Sequence, residues 1–140
     1  MVDTEYKTGV DQTTAERLVS AARTGLGDTL RSVIYFTPSA FDVLYVRQDL
    51  YHSPAAARPA KSRLVEAERS GFAELPLRAR HGRSRERSSI GEYQFTVRFH
   101  DDGFVVRILE GDAGVVLTTD NMDVRAFTEA ATAIRRTLDV

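Results

Sequence analysis

The sequence of 140 residues contains no cysteine. Disulfide-bonded scaffolds, cysteine-ligated zinc sites, thiol nucleophiles and thiol redox switches are therefore excluded. No apolar run approaches the roughly 20 residues that a membrane-spanning helix needs. The polar N-terminal stretch 1–14 lacks the apolar core of a signal peptide. We therefore expect a soluble, cytoplasmic protein that does not bind membranes.

Lysine is scarce, because 17 of the 19 basic residues are arginine. The net charge of −1 hides an uneven distribution of charge along the chain. Residues 54–90 carry 9 basic and 4 acidic groups, whereas the flanks 1–53 and 91–140 carry net charges of −2 and −4. A basic middle segment thus lies between two acidic flanks. If the protein binds an anionic partner, we expect the contact in this middle segment.

Hydrophobic spacing predicts a flexible lead-in at 1–12 and a single domain over 13–140. A capping box at Thr13 and Glu16 predicts a helix at about 14–25. Two β-branched and aromatic runs at 30–36 and 41–46, separated by a proline turn, predict a hairpin.

The middle of the chain predicts a second helix that is followed by a loop. Ser53 and Pro54 are typical of a helix start. Pro59 should kink or restart this helix, and Gly71 should end it after a segment at 61–70. The stretch at about 77–90 has no apolar periodicity and is interpreted as a long Arg-rich loop.

The last third predicts three strands and a helix. Strict alternation predicts a strand at about 92–99, and tight turns then separate it from strands at 104–109 and 115–118. Asp120 or Asn121 should cap the final helix, in which Phe127 lies in the middle of an apolar stripe.

The resulting order is helix, strand, strand, helix, strand, strand, strand, helix. Strands joined by tight turns indicate an antiparallel sheet. We therefore predict an α/β protein of the α+β kind, with one five-stranded antiparallel sheet. The first and last helices should cover one face of this sheet.

This element order, over about 13–138, resembles the roadblock fold within the profilin-like group. The chain also resembles a family of small haloarchaeal proteins, and this resemblance covers most of its length. The segments that carry it are 28–33 (DTLRSV), 42–47 (DVLYVR), 68–72 (ERSGF), 91–98 (GEYQFTVR) and 111–120 (GDAGVVLTTD). The resemblance implies a halophilic archaeal source and a protein that works in concentrated salt. It assigns no catalytic residue.

The residue types that carry chemistry do not form a recognisable motif. His52, His81 and His100 are far apart, so neither a metal site nor a cofactor site is expected. The acidic pair at 101–102 fits a hairpin turn, and the acidic group at 120–123 fits a helix cap. The glycines at 111–114 connect two strands and do not precede a helix, as a phosphate-binding loop should. No nucleophile elbow is present, and we expect a protein that is not an enzyme.

The Arg-rich stretch offers the one candidate contact for an anionic partner. Its members are Arg78, Arg80, Arg83, Arg85 and Arg87. They could neutralise phosphates, but no aromatic residue stands among them for base stacking. A solvated loop or a protein contact is therefore favoured over a nucleic acid.

The function that we expect is protein–protein interaction, as a homodimer and with a further protein partner. Roadblock-like domains pair through an edge strand and a helix, which implies scaffolding or GTPase-associated regulation. The strand at 92–99 would be that edge, with Gln94, Thr96 and Arg98 along it. Two alternatives stay open. One is a nucleic-acid-associated protein that uses the Arg-rich stretch. The other is a small-ligand sensor with a pocket lined by sheet aromatics such as Tyr35, Tyr45, Phe95 and Phe104.

Overall fold

The computed structural model describes residues 6–83 and 90–139, and over 74–83 it describes the backbone alone. The elements are α1 (Gln12–Leu26), a short 3-10 turn (Gly27–Thr29), β1 (Leu30–Phe36), β2 (Phe41–Val46), α2 (Pro54–Arg83), β3 (Thr96–His100), β4 (Gly103–Glu110), β5 (Ala113–Thr119) and α3 (Val124–Leu138). The predicted α+β class and the predicted element order are confirmed.

The five strands form one sheet in the order β2-β1-β5-β4-β3, and every neighbouring pair is antiparallel. Tight turns place β1 beside β2, β3 beside β4 and β4 beside β5, as expected for hairpins. The chain then leaves one edge at β2, passes through α2 and returns at the opposite edge as β3. The predicted edge position of the third strand is therefore confirmed.

Helices lie on both faces of the sheet. The prediction that the first and last helices cover one face is confirmed, because α1 and α3 pack together there on alternate strand residues. The largest buried side chains of this core are Leu18, Leu30, Ile108, Leu117, Phe127 and Ile134. The remaining strand residues face α2, where Ile34, Phe36 and Val116 pack against Val65. The period of two in a strand sends neighbouring side chains to these two separate cores.

The segment before α1 is anchored to the sheet. The N–H groups of Lys7 and Thr8 donate to the two carboxylate oxygens of Asp42 at 2.9 and 2.8 Å. Asp11, two residues before the predicted cap, accepts the Thr14 N–H at 2.7 Å and starts the helix. Within the predicted flexible lead-in at 1–12, a charged strand residue thus binds the backbone of residues 7 and 8, and Gln12 already belongs to α1. Residues 1–5 lie outside the described residues.

Helix α2 is much longer than its predicted segments. Its predicted start is confirmed, since the Ser53 hydroxyl accepts the Ala56 N–H at 3.1 Å. The predicted restart at Pro59 and stop at Gly71 are wrong, because one helix of 30 residues runs through both to Arg83. The predicted loop at 77–90 is corrected over 77–83, whose backbone is helical and rich in good helix formers. Residues 84–89 lie outside the described residues.

Strand β3 begins at Thr96, later than the predicted start near 92. Tyr93, Gln94 and Phe95 continue the alternating pattern of the strand. However, Arg135 of α3 donates to the backbone carbonyl of Gln94 at 2.7 Å and to its side-chain oxygen at 2.9 Å. This contact with α3 takes the backbone of Gln94 out of the ladder with β4.

Helix α3 starts later than predicted as well. Asp123, and neither Asp120 nor Asn121, is its N-cap, and the Asp123 carboxylate accepts the Ala126 N–H at 3.0 Å. The predicted burial of Phe127 is confirmed, since its side chain has no exposed surface. Within the part of the chain that the structure describes, no helix combines the length and apolarity that crossing a bilayer requires.

Candidate functional site

The outer side of β3 is an unpaired strand edge. Among the described residues, β3 pairs with β4 alone, in a register that contains no bulge. The strand holds no proline, and the ring of Phe99 is 71% exposed. Its only aromatic neighbour among the described residues is Phe104 of β4, which it meets edge to face at 5.0 Å between ring centroids. Such a regular strand with an exposed aromatic residue is a template for pairing with another chain.

The geometry of the β3–β4 turn determines which backbone groups of β3 point away from β4. A two-residue loop, Asp101 and Asp102, joins His100 to Gly103. The residues that flank such a loop exchange backbone hydrogen bonds. Hydrogen-bonded and non-hydrogen-bonded pairs alternate along an antiparallel ladder. We therefore infer that the backbone N–H and C=O groups of Val97 and Phe99 point away from β4.

The opposite edge of the sheet carries contacts at the first two residues of β2, Phe41 and Asp42. Asp42 of β2 binds the backbone of residues 7 and 8, and it also accepts the Thr8 hydroxyl at 2.6 Å. Arg58 of α2 donates to the backbone carbonyl of Phe41 at 2.8 Å and lies over its ring at 3.8 Å. The pairing of β2 with β1 also contains a register shift. Contacts and irregularities of this kind are the usual protection of a strand edge, so the two edges of the sheet differ in kind.

A buried ion cluster fixes β3 and β4 to α2. Glu68 of α2 is fully buried, and its carboxylate accepts from Nε of Arg98 at 2.6 Å and from Nη1 of Arg107 at 3.4 Å. Arg107 is itself only 3% exposed. Because a buried charge requires a partner, these three side chains hold the edge of the sheet and the helix in one arrangement.

Two hydroxyl groups complete the coordination of Arg107. Its Nη2 donates to the Thr96 hydroxyl at 3.0 Å and to the Tyr93 hydroxyl at 3.3 Å. Its Nε is buried without a hydrogen-bond partner in the described part of the chain. Gly71 is what allows α2 to pass over this guanidinium, since a Cβ there would lie 2.5 Å from Nη1. The glycine that resembles a helix stop therefore serves close packing.

A second ion cluster fixes the other end of the sheet. Asp120, directly after β5, accepts from Nη1 of Arg31 at 2.9 Å and from Nη1 of Arg47 at 2.5 Å. Arg47 also binds Asp49 at 2.7 Å. Hydrogen bonds from Arg47 and then from Arg31 lower the pKa of Asp120 below its ordinary value. The hydrogen bond to Asp120, and then the one to Asp49, raises the pKa of Arg47, so the pair of Arg47 and Asp120 is charged at neutral pH.

A cavity of about 410 Å³ lies beside this second cluster. It is bounded by the first turns of α2, the β3–β4 turn and the adjacent strand ends, and its charged lining residues are Arg31, Lys61, His100, Asp101 and Asp102. Of the four aromatics named for a ligand pocket, Phe104 alone belongs to this lining, but the alternation of β4 directs its ring to the α1/α3 face, like the side chains of Val106 and Ile108. Tyr35, Tyr45 and Phe95 instead pack against the core beneath α1 and α3.

The residues expected along the dimer edge lie in three different settings. Gln94 is bound to α3, ahead of the strand. The Thr96 hydroxyl is directed to Arg107, and Arg98 is paired with Glu68. The outward backbone groups thus belong to Val97 and Phe99, and not to the three residues that were predicted along the edge.

The arginines of the basic stretch cannot be placed as a site. Arg85 and Arg87 lie outside the described residues, and Arg78, Arg80 and Arg83 belong to the part of α2 that is described by its backbone alone.

The described histidines, His52 and His100, are exposed and lie in different parts of the chain. In the ranges 6–73 and 90–139, no group of three or more potential metal ligands converges. The predicted turn at 111–114 is shorter than expected: it comprises Gly111, at a φ of 63°, and Asp112, because Ala113 and Gly114 belong to β5.

Comparison with known proteins identifies a family. A family model described as "Domain of unknown function (DUF7522)" matches residues 16–139. The match begins within α1 and covers every later helix and strand of the fold, and the chain belongs to this family. No curated protein and no solved structure matches the chain.

Proposed function

We propose that this member of the DUF7522 family is a non-enzymatic protein–protein interaction domain that forms a homodimer through strand β3. The observation that carries the proposal is the contrast between the two sheet edges. The start of β2 binds the segment before α1, whereas β3, among the described residues, pairs on one side only and carries an exposed Phe99. Unpaired N–H and C=O groups on a regular strand favour the addition of another strand.

A second copy of the chain is the occupant that best fits this edge. Antiparallel pairing of β3 with itself about a two-fold axis uses the same surface on both copies, and the assembly closes after two chains. Phe99 would lose much of its exposed apolar surface in the joint, which adds to the hydrogen bonds of the ladder.

The ion cluster behind β3 supports an edge that is ready to pair. Because Glu68 holds Arg98 and Arg107 from the α2 side, β3 is ordered before a second copy arrives. A strand that is already extended loses less conformational entropy on association than a mobile segment would.

We also infer a roadblock-like relationship, a haloarchaeal source and a cytoplasmic location. The sheet order supports the first, because the strand expected at the edge lies there. A regulatory or scaffolding role with a second protein partner follows from that relationship. Backbone hydrogen bonds and apolar contacts are screened little by salt, so the dimer should persist in molar salt.

The experiment is a measurement of molar mass by light scattering at micromolar concentration, in low salt and in molar salt. The parent chain should give the mass of a dimer in both. Val97→Pro should give a monomer, because proline removes an outward N–H from the edge. Phe99→Glu should also give a monomer, because a charge on an edge strand opposes pairing.

The matched control is Val124→Glu, which places the same charge on an apolar residue that is 57% exposed on α3. This variant should remain a dimer. Far-ultraviolet circular dichroism establishes that each variant is folded. A monomeric parent chain overturns the proposal, and so does a Val124→Glu variant that dissociates as completely as Phe99→Glu, since association would then rest on general apolar exposure.

A further inference from the structure

The cavity of about 410 Å³ at the end of the sheet has the dimensions of a small-molecule site. Lys61 and Leu64 of α2 and Tyr51, which precedes α2, are among the residues that line it. The cavity therefore combines apolar surface with charged groups, a mixture that is typical of sites for small organic ligands.

Among the described residues, Lys61 is a cation without an ion-pair partner. It is half-buried, and it makes no ion pair with any residue in the described part of the chain. Its ammonium nitrogen lies 5.8 Å from the centre of the Tyr51 ring. Burial lowers the pKa of Lys61, and the neighbouring positive charge of Arg31 lowers it further. An anion placed between these two cations would remove both unfavourable effects.

Arg31 is held in a fixed position for such a contact. Its Nη1 donates to Asp120, which Arg47 also binds. A hydroxyl group lies in the same wall, because Thr118 lines the cavity and its Oγ1 is 2.5 Å from Oγ of Ser32. A preorganised guanidinium and a hydroxyl are common partners of carboxylate and phosphate oxygens.

Three other titratable groups belong to the lining, namely His100, Asp101 and Asp102. All three are exposed and lie at the β3–β4 turn. The acidic pair thus lies at the rim, while Lys61 is half-buried. This distribution favours a ligand that places its anionic group deep in the cavity and its remainder toward the rim.

We propose that this cavity binds a small organic anion, with its phosphate or carboxylate group between Lys61 and Arg31 and an apolar or aromatic part against Tyr51 and Leu64. The proposal is independent of dimer formation, because it involves the α2 face of the sheet and none of the outward groups of β3.

The two lysines of the chain permit a direct test. Lysine labelled with ¹³C at the ε carbon gives two side-chain NMR signals, from half-buried Lys61 and from exposed Lys7. The labelled protein is titrated with phenyl phosphate, benzoate, inorganic phosphate and, as a neutral analogue, benzyl alcohol. We expect saturable movement of the Lys61 signal with phenyl phosphate, benzoate or both, an upward shift of the Lys61 pKa on binding, and no specific change of Lys7. The phosphate and carboxylate arms identify which anion is preferred, and inorganic phosphate measures the part that charge alone supplies.

Two variants control the result, with binding followed by the amide signals of 100–105. Lys61→Gln should weaken binding at least tenfold while the protein remains folded, and Lys7→Gln should leave binding unchanged. Lys61→Arg should retain part of the binding, because it keeps the charge. The proposal is overturned if neither aromatic anion moves the Lys61 signal, if benzyl alcohol acts as strongly as the anions, or if Lys61→Gln binds as well as the parent.

Discussion

Glu68 and Arg107 form an ion pair in the interior of the protein, with Oε1 3.4 Å from Nη1. Helix α2 supplies the carboxylate of Glu68, and β4 supplies the guanidinium of Arg107. The second carboxylate oxygen binds Arg98 of β3 at 2.6 Å. One buried carboxylate therefore joins α2 to the edge strand β3 and to its neighbour β4, on the side where we propose that the dimer forms.

Replacement of Glu68 should be strongly destabilising. Glu68→Ala leaves the guanidinium of Arg107 buried without a counter-charge, and we expect the free energy of unfolding to fall by about 3–5 kcal/mol. Urea unfolding measures this change. The matched control is Glu66→Ala on the same helix, where an exposed carboxylate pairs with Arg69, and its cost should stay below about 1 kcal/mol. Equal costs for the two variants would show that the buried pair has no special role.

Phe127 should account for a large part of the stability on the opposite face. Phe127→Ala removes a fully buried ring that packs edge to face on Phe95, and the free energy of unfolding should fall by about 3–5 kcal/mol. Val124→Ala, at an exposed position of the same helix, should change it by no more than about 0.5 kcal/mol. Thermal or urea unfolding of both variants provides the comparison. A Phe127→Ala protein as stable as the parent would contradict the packing of α3 on the sheet.

Much of the fold could be predicted because the spacing of apolar residues and the residue preferences of turns are local properties of the sequence. The strands and α3 follow apolar spacing that one face of a sheet imposes, and the turns at 101–102 and 111–112 follow the residues that hairpins favour. Helix ends were displaced by a few residues, as at Asp11 and Asp123, because several cap-forming residues stand close together in each case.

The remainder depends on contacts between distant residues. Pro59 and Gly71 predicted breaks in α2, but tertiary packing overrides these local preferences, and Gly71 is needed for the approach to Arg107. Glu68 and Arg107 are 39 residues apart, and nothing in the sequence marks them as partners. The one available signal was an arginine between apolar residues of a central strand, which requires a buried acid. The exposed edge and the cavity beside Lys61 arise only from the sheet order.

Asp42 should control the order of the segment before α1. Asp42→Ala removes the acceptor of the Lys7 and Thr8 amides, and a hydrogen bond to a charged group contributes about 1.5–3 kcal/mol. Hydrogen exchange of these two amides should therefore accelerate by about tenfold to a hundredfold. The amide of Leu117 in central strand β5 serves as the internal reference and should change far less. Unchanged exchange at Lys7 and Thr8 would mean that this segment is not what covers β2.

Asp120 should contribute stability that depends on pH. Its pKa in the folded protein is lowered by Arg47 and Arg31 from an ordinary value of 3.8. The contribution is therefore present above about pH 4 and is lost as the pH falls through the lowered folded-state pKa. Asp120→Asn should cost about 1 kcal/mol at neutral pH, since the carboxylate is partly exposed.

The difference between the parent and Asp120→Asn should then shrink as the solution is acidified. Asp112→Asn, at an exposed position in the β4–β5 turn, is the control. Its free energy of unfolding should differ little from that of the parent at neutral pH and at acidic pH. A difference for Asp120→Asn that stays constant from neutral to strongly acidic pH would exclude the ion pairs as its source.

The most direct test of self-association through β3 is an isotope-filtered NMR experiment. Equal amounts of ¹³C,¹⁵N-labelled and unlabelled chain are unfolded together and refolded, and nuclear Overhauser contacts between labelled and unlabelled copies are recorded. The account predicts contacts between backbone protons of residues 96–100 in the two copies, in low salt and in molar salt alike. The absence of contacts between copies, or contacts confined to β2 or to the outer surfaces of the helices, would contradict it.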